Sequence, residues 1–547
     1  GLDTLYVGTL YARSGGIYLA TPAAIVDGFN NDFENIRANT LELAAGAIGE
    51  AGDYLDVNLL GTGTLKASAS GTIRIAETEG NLYVNRVFSS AGDVDLKAHL
   101  SILDANSDSA ADVSGKNIAL TADVGGIGVS GNDLDIDTLG GLLSSKSNLG
   151  NAYIIETDGD LTLDTVSSGA GYAFITAPTG RILNGRSSGA NVVSGFTYLF
   201  ASGDIGEFAA PISTQVGKLE GKSTTGSVWI TNSGSMTVGG VVDNDDPGID
   251  AYDGIDLQSN SPMNVTENVH STGGDITLQS VDEAAAGDDL TIGDVWIHAS
   301  GGSIFLLAGD NLTLSSGTLL QASGGYVEIR GDYGNADSGV GSRMNLTGTV
   351  KGSRLDVYGD ADDDTINVST GLDTTNISAT GIRGAGGNDT INIQRADVAT
   401  VVSTGAGDDT INIGTLAPAI DGTVNQILAL LTVNGDAGSD ILNAYDRGDG
   451  TANNAELTDT RLTGLGMSEG IAYAGLEDLN IVLGGGGNTV KVRSTQAGTA
   501  TTIFLGAGSD TLYAGSTDAD ATSTVNALAG PLTINGQRSE EHTSELQ

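Results

Sequence analysis

The chain contains no cysteine, only 7 prolines in 547 residues, and few aromatic residues at 5%. Without cysteine there are no disulfides, no zinc–thiolate sites and no cysteine nucleophile. So little proline, with no Gly-x-y period, excludes collagen and proline-rich disorder. The shortage of aromatics predicts a narrow core of Val, Ile, Leu and Ala. Basic residues are scarce as well: 23 Lys and Arg stand against 69 Asp and Glu, a formal net charge of −46. That balance argues against nucleic-acid partners and against docking on an anionic membrane surface. No apolar run approaches the length needed to span a bilayer, so no transmembrane segment is expected.

What the chain does have is glycine, 82 residues of it, and a hydrophobic content of 39%, too high for a disordered acidic chain. From Gly61 a rhythm of short alternating strands sets in: Gly63-Thr64-Leu65-Lys66-Ala67, Gly71-Thr72-Ile73-Arg74-Ile75, Gly92-Asp93-Val94-Asp95-Leu96. Each is entered through Gly, Asn or Asp and left through Ser, Thr or Gly. The rhythm is densest between Gly274 and Arg330, and residues 1–60 are the least regular. Recurring short strands without helical periods favour a solenoid over a sandwich, because one coil cannot bury its own apolar face. The expected fold is all-β: an elongated, right-handed parallel β-helix or β-solenoid.

A second texture begins near Gly352. Thr404-Gly405-Ala406-Gly407-Asp408-Asp409-Thr410-Ile411-Asn412-Ile413 joins a glycine-rich turn ending in aspartate to an alternating strand. Further copies end in Asp364, Asp389, Asp440, Asn488 and Asp510, giving separations of 25, 20, 31, 48 and 22 residues. Glycine supplies positive φ and leaves carbonyls free, and an aspartate can add a hard oxygen ligand for Ca²⁺. Simple corner formation explains the same residues equally well. Asp446 to Asp478 interrupts the series, either as coils without such a corner or as a surface excursion.

These turns resemble the haemolysin-type (RTX) calcium-binding repeat, Gly-Gly-x-Gly-x-Asp-x-apolar-x, over roughly 357–515, within an expected second solenoid region of 351–537. RTX arrays repeat every nine residues, so the spacing here departs from the pattern and implies one motif per coil. The resemblance implies Ca²⁺ as cofactor and Asp364, Gly386, Asp389, Gly407, Asp409, Gly438, Asp440 and Asp510 as metal-site residues, with Asp389 and Asp409 the best-placed pair. Residues 61–350, with phrases such as Gly159-Asp160-Leu161-Thr162-Leu163, resemble filamentous-haemagglutinin-type exoproteins and other large bacterial adhesins. Those relatives imply an extracellular or cell-surface rod, whose partners, host or matrix glycans or proteins, bind modules outside this piece.

The alternative is a polysaccharide-active β-helix enzyme, a lyase or hydrolase, which needs converging carboxylates with a base in one groove. The acidic runs Asp245-Asp246, Asp288-Asp289 and Asp362-Asp363-Asp364 are candidates for such a groove, while His99, His270 and His298 look scattered. His298 reads as a strand residue on a solenoid face, and Trp229 and Trp296 as core or coil-to-coil stacks. No Gly-x-Ser-x-Gly elbow, P-loop or zinc-binding His/Glu spacing occurs, and a non-enzymatic structural role is expected. The start at Gly1-Leu2-Asp3 reads as the interior of a longer protein. Residues 538–547 look like a translated sequencing adapter that displaces a repeat beginning at Pro531.

Overall fold

The computed structural model describes residues 3–242, 247–517 and 523–536. It is all-β, a parallel β-solenoid with no helix among the described residues. The chain forms two compact units, Gly1–Ser259 and Asn260–Gln547. The change of corner chemistry near residue 352 lies inside the second unit, and the coils run through it: Val327–Arg330 pairs with Leu355–Asp360, and Arg343–Lys351 with Thr365–Asn376.

In the first unit, the alternating strands stack so that like residues lie above like. Ile73, Val94, Ile118, Leu143 and Leu163 form one column through successive coils, every member at most 1% exposed. Successive side chains of a strand point to opposite faces, so the Val, Ile and Leu positions turn inward together. Burying each one contributes roughly 1.5–3 kcal/mol. Strand exits are sealed from inside. The hydroxyls of Ser89, Ser147, Ser223 and Ser259, all buried, donate to the carbonyls of Gly71, Gly125, Gly203 and Gly234 at 2.7–2.9 Å. The coils begin inside the stretch expected to be irregular: Leu5–Val7 pairs in parallel with Ala24–Asp27, and Gly16–Ala20 with Ile36–Ala45. On the outer face Tyr153, Phe174 and Tyr198 stack in register, and Tyr172 stacks on Phe196 with ring centroids 4.5 Å apart.

In the second unit, Ile366, Ile391, Ile411, Leu442 and Leu479 form the corresponding inner column. Among the described residues the strand pairings within each unit are parallel, with one exception. Between Asp446 and Asp478 the chain makes an antiparallel excursion: Asn454–Leu457 runs against Arg461–Gly464, which runs against Ile471–Ala474. The excursion is also welded to the stack. Asn454–Leu457 pairs in parallel with Thr489–Val492, and Ile471–Ala474 with Leu431–Asn434. The interrupting segment is thus both coil and excursion.

Candidate metal centre

The glycine-rich corners stack into a continuous column of aspartates. Each Oδ1 accepts the backbone N–H of the equivalent residue one coil earlier. Asp364 N–H donates to Asp389 at 2.9 Å, Asp389 N–H to Asp409 at 2.7 Å, and Asp409 N–H to Asp440 at 3.0 Å. At one end Asp364 Oδ1 accepts from the amide and hydroxyl of Ser342, at 2.6 and 2.7 Å. At the other, Asp440 N–H donates to Glu477 at 2.8 Å. The column therefore continues from Asp440 to Glu477, not to Asn488. Asn488 and Asp510 belong to a separate column, in which Asn453 N–H donates to Asn488 and Asn488 N–H to Asp510.

The second oxygen of each aspartate in the first column has no partner. Oδ2 of Asp364, Asp389, Asp409 and Asp440 is buried without a hydrogen bond, and the four side chains are at most 1% exposed. Burial pushes the Asp364 carboxyl up to about 8, against the pull of the Ser342 donors and with Asp389 adding to the rise. Burial likewise raises Asp389 to about 7 and Asp440 to about 6, each with Asp409 adding to the rise. In three coils Oδ2 points at the glycine five residues back. A Cβ on Gly359 would fall 2.2 Å from Asp364 Oδ2, one on Gly384 1.9 Å from Asp389 Oδ2, and one on Gly435 2.8 Å from Asp440 Oδ2. At Gly359 and Gly384 the carboxylate is the nearest obstacle, so the missing side chain makes room for it; at Gly435 the Gly475 carbonyl oxygen, at 1.9 Å, is nearer still.

The other expected residues fall into place by register. Gly407 and Gly438 lie at positive φ, 138° and 147°, and a Cβ on either would strike the carbonyl oxygen of the preceding corner glycine, Gly387 or Gly407. Gly386 instead pairs with Ala406, so the residue in register with Gly407 and Gly438 is Gly387. One position before the aspartates, a second ladder runs the opposite way. Asp363 accepts from Asn388 N–H, Asn388 from Asp408 N–H, and Asp408 from Ser439 N–H, at 2.6–2.9 Å. Three positions after them stands an asparagine ladder that sequence reasoning missed. Asn345, Asn367, Asn392, Asn412, Asn443 and Asn480 link amide to amide at 2.8–3.0 Å. The Asn of Thr-Ile-Asn-Ile was its visible trace.

Two groups of three acids converge more closely than the column does, and the spacing of motifs revealed neither. In the first unit Asp104, Asp112 and Asp135 bring carboxylate oxygens within 4.8 Å of one another. Asp112 and Asp135 face each other on successive coils, Asp135 N–H donating to Asp112 at 3.2 Å. Burial, reinforced by Asp104, lifts Asp112 to about 8 and Asp135 to about 6. In the second unit Asp282, Asp332 and Asp337 converge in the same way. No three aspartates of the corner column do so among the described residues.

The acidic runs weighed for an enzyme serve separate backbone amides. Asp288 accepts from Glu283 N–H, Asp289 from Asn311, and Asp362 from Gly339 N–H. Asp245-Asp246 lies outside the described residues. Two histidines are not scattered: His270 and His298 are in register on adjacent coils, and Trp296 stacks on both, at 5.6 and 4.5 Å. An open depression of about 570 Å³, lined by Pro22, Gly46, Ser68 and Phe88 among others, carries no titratable side chain. No helix among the described residues is long and apolar enough to cross a membrane.

Fold and corners together define a parallel β-solenoid whose coils are tied by side-chain ladders. No family model, no curated protein and no solved structure matches the chain.

Proposed function

We propose that this chain is a structural segment of a large secreted or surface-attached bacterial protein, a spacer whose corner aspartates are neutralised by Ca²⁺. The observation that carries this reading is the corner column, in which every Oδ1 ties one coil to the last and every Oδ2 is buried without a partner. A buried carboxylate oxygen without a hydrogen bond is costly, and the cost falls when a proton or a cation meets it. The donor set fits a hard cation in kind, all oxygen, and supplies one free carboxylate oxygen per coil. The chemistry a divalent ion brings is charge neutralisation, turning repulsion between stacked aspartates into attraction. Asp364, Asp389, Asp409 and Asp440 would hold it, and their Oδ1 bonds keep the four carboxylates aligned whether or not it is bound. Adhesion, where the parent protein has it, resides in other modules.

The test is limited proteolysis and thermal melting of the full chain in millimolar Ca²⁺, in Mg²⁺ and in chelator. We expect Ca²⁺ to slow cleavage between residues 359 and 445, and the Asp389→Asn, Asp409→Asn double variant to lose that protection. Identical cleavage in all three buffers leaves a plain solenoid whose aspartates serve as corner formers.

A further inference from the structure

A different part of the second unit gathers more free oxygen than the corner column. The loop between Val327–Arg330 and Arg343–Lys351 carries Asp332, Asn335 and Asp337, and it lies against Asp282 and Asp310 from earlier coils. Two of these acids anchor the backbone with one oxygen each. Asp282 Oδ2 accepts the Ala336 N–H, and Asp310 Oδ2 accepts the amides of Gly287 and Asp288, the latter at 2.6 Å. Their Oδ1 atoms are left buried and unpartnered.

Asp332 is 0% exposed, and neither of its oxygens has a hydrogen bond. Burial raises its carboxyl to about 6, against the pull of the nearby Ala361 and Asp362 amides, which close no hydrogen bond to it. Both oxygens of Asp337 and the amide oxygen of Asn335 are buried and unpartnered too. Carboxylate oxygens of Asp282, Asp332 and Asp337 lie within 4.8 Å of one another. Burial raises the Asp337 carboxyl, and the charges of Asp310 and Asp282 add to the rise. Among the described residues no lysine or arginine pairs with any of the four aspartates.

Seven buried oxygens without a donor thus belong to five residues of one locality. A solenoid corner needs none of them, since the backbone bonds there are made by the other oxygens of Asp282 and Asp310. Ca²⁺ takes 6–8 oxygen ligands in flexible geometry, carboxylates and amide carbonyls among them, whereas Mg²⁺ demands a near-ideal octahedron and keeps several waters. We propose that Asp282, Asp310, Asp332, Asn335 and Asp337 form a divalent-cation site of calcium type, which pins the 331–341 loop to the coils beneath it. The site uses none of the corner-column residues, so either reading can fail alone.

Calcium titration of the full chain by calorimetry, with the Asp332→Asn and Asp337→Asn variants, tests it. Asparagine keeps the shape and removes one charge, so circular dichroism of each variant should match the parent. We expect each variant to bind one Ca²⁺ equivalent fewer, or to bind it at least tenfold more weakly, while Asp409→Asn retains that equivalent. Terbium gives an independent reading on a folded site. Tyr333 sits beside Asp332, so Tyr333→Phe should cut tyrosine-sensitised Tb³⁺ emission with calcium stoichiometry unchanged. In the parent, Ca²⁺ should also slow cleavage within 331–341, an arm that needs no variant. Parent-like calcium binding by both Asp variants, or loop cleavage indifferent to Ca²⁺, overturns the proposal.

Discussion

At the scale of single residues, the corner glycines divide into those that turn the chain and those that make room. Gly384 belongs to the second kind: a Cβ there would meet Asp389 Oδ2 at 1.9 Å and the Thr404 carbonyl at 2.5 Å. The carbonyl belongs to a paired strand and cannot yield, so Gly384→Ala should destabilise the fold by about 1–3 kcal/mol in denaturant melts. Gly386→Ala is the control. Its nearest neighbour is the Ala361 carbonyl at 3.3 Å and its φ is not in the left-handed region, so it should be close to neutral. If the two variants melt alike, the room-making role is wrong. Nothing in the sequence separates these two glycines. Both stand in one glycine-rich turn, and the reason for one of them is an oxygen five residues away.

At the scale of the element, each coil is held to its neighbours by ladders as well as by backbone pairing. Asn412 sits mid-ladder: it donates to Asn392, and its own oxygen accepts from Asn443 and from the Tyr445 hydroxyl. Asn345 stands at the ladder's end and accepts from Asn367. A net hydrogen bond contributes about 0.5–1.5 kcal/mol, and an orphaned buried partner costs about 1–3 kcal/mol. Asn412→Ala should therefore cost about 2–4 kcal/mol, and Asn345→Ala clearly less, in equilibrium unfolding. Equal losses would mean that the ladder does not act as a chain of bonds. The alternation of Thr, Ile, Asn and Ile made the strand and its inward face legible. That the asparagines meet depends on register, since their separations run from 20 to 37 residues.

At the scale of the whole molecule, an acidic chain with buried carboxylates has a pH dependence whose sign can be worked out. Glu156 is fully buried, and burial raises its carboxyl from 4.5 to about 8, against the pull of the Thr138 amide N–H. Burial and the Asp27 charge raise Asp56 to about 7. A folded-state pKa above the unfolded one means the native state holds the proton more tightly. Its stability is then complete below the unfolded value and is lost as pH rises through the folded value. In chelator, melting temperature should fall between about pH 5 and 8, and Glu156→Gln should flatten part of that fall. Asp449, lowered to about 2 by its Thr451, Asn453 and Asn425 hydrogen bonds against the opposing effect of burial, acts in the opposite direction, and its contribution is lost only in strong acid. A melting temperature that climbs from pH 5 to 8 would show that these carboxylates are ionised in the native state.

The sequence by itself determined the class of fold, because the inside and outside of a strand are decided by alternate residues two apart, a purely local relation. Ile391 and Ile411 face the core for the same reason that Thr390 and Thr410 do not. It also determined that glycine and aspartate would make the corners. The tertiary structure alone decided which corners meet. Coils stack at a nearly fixed spacing, but the chain spent on each turn varies: 25 residues from Asp364 to Asp389, 20 to Asp409, 31 to Asp440 and 37 to Glu477. With no constant period, Glu477 could not be seen as the next member of the column, nor Asp510 as a member of another. The convergence of Asp282, Asp332 and Asp337 has the same origin. Fifty-five residues separate the first from the last, and only the stacking of coils between them brings their oxygens together.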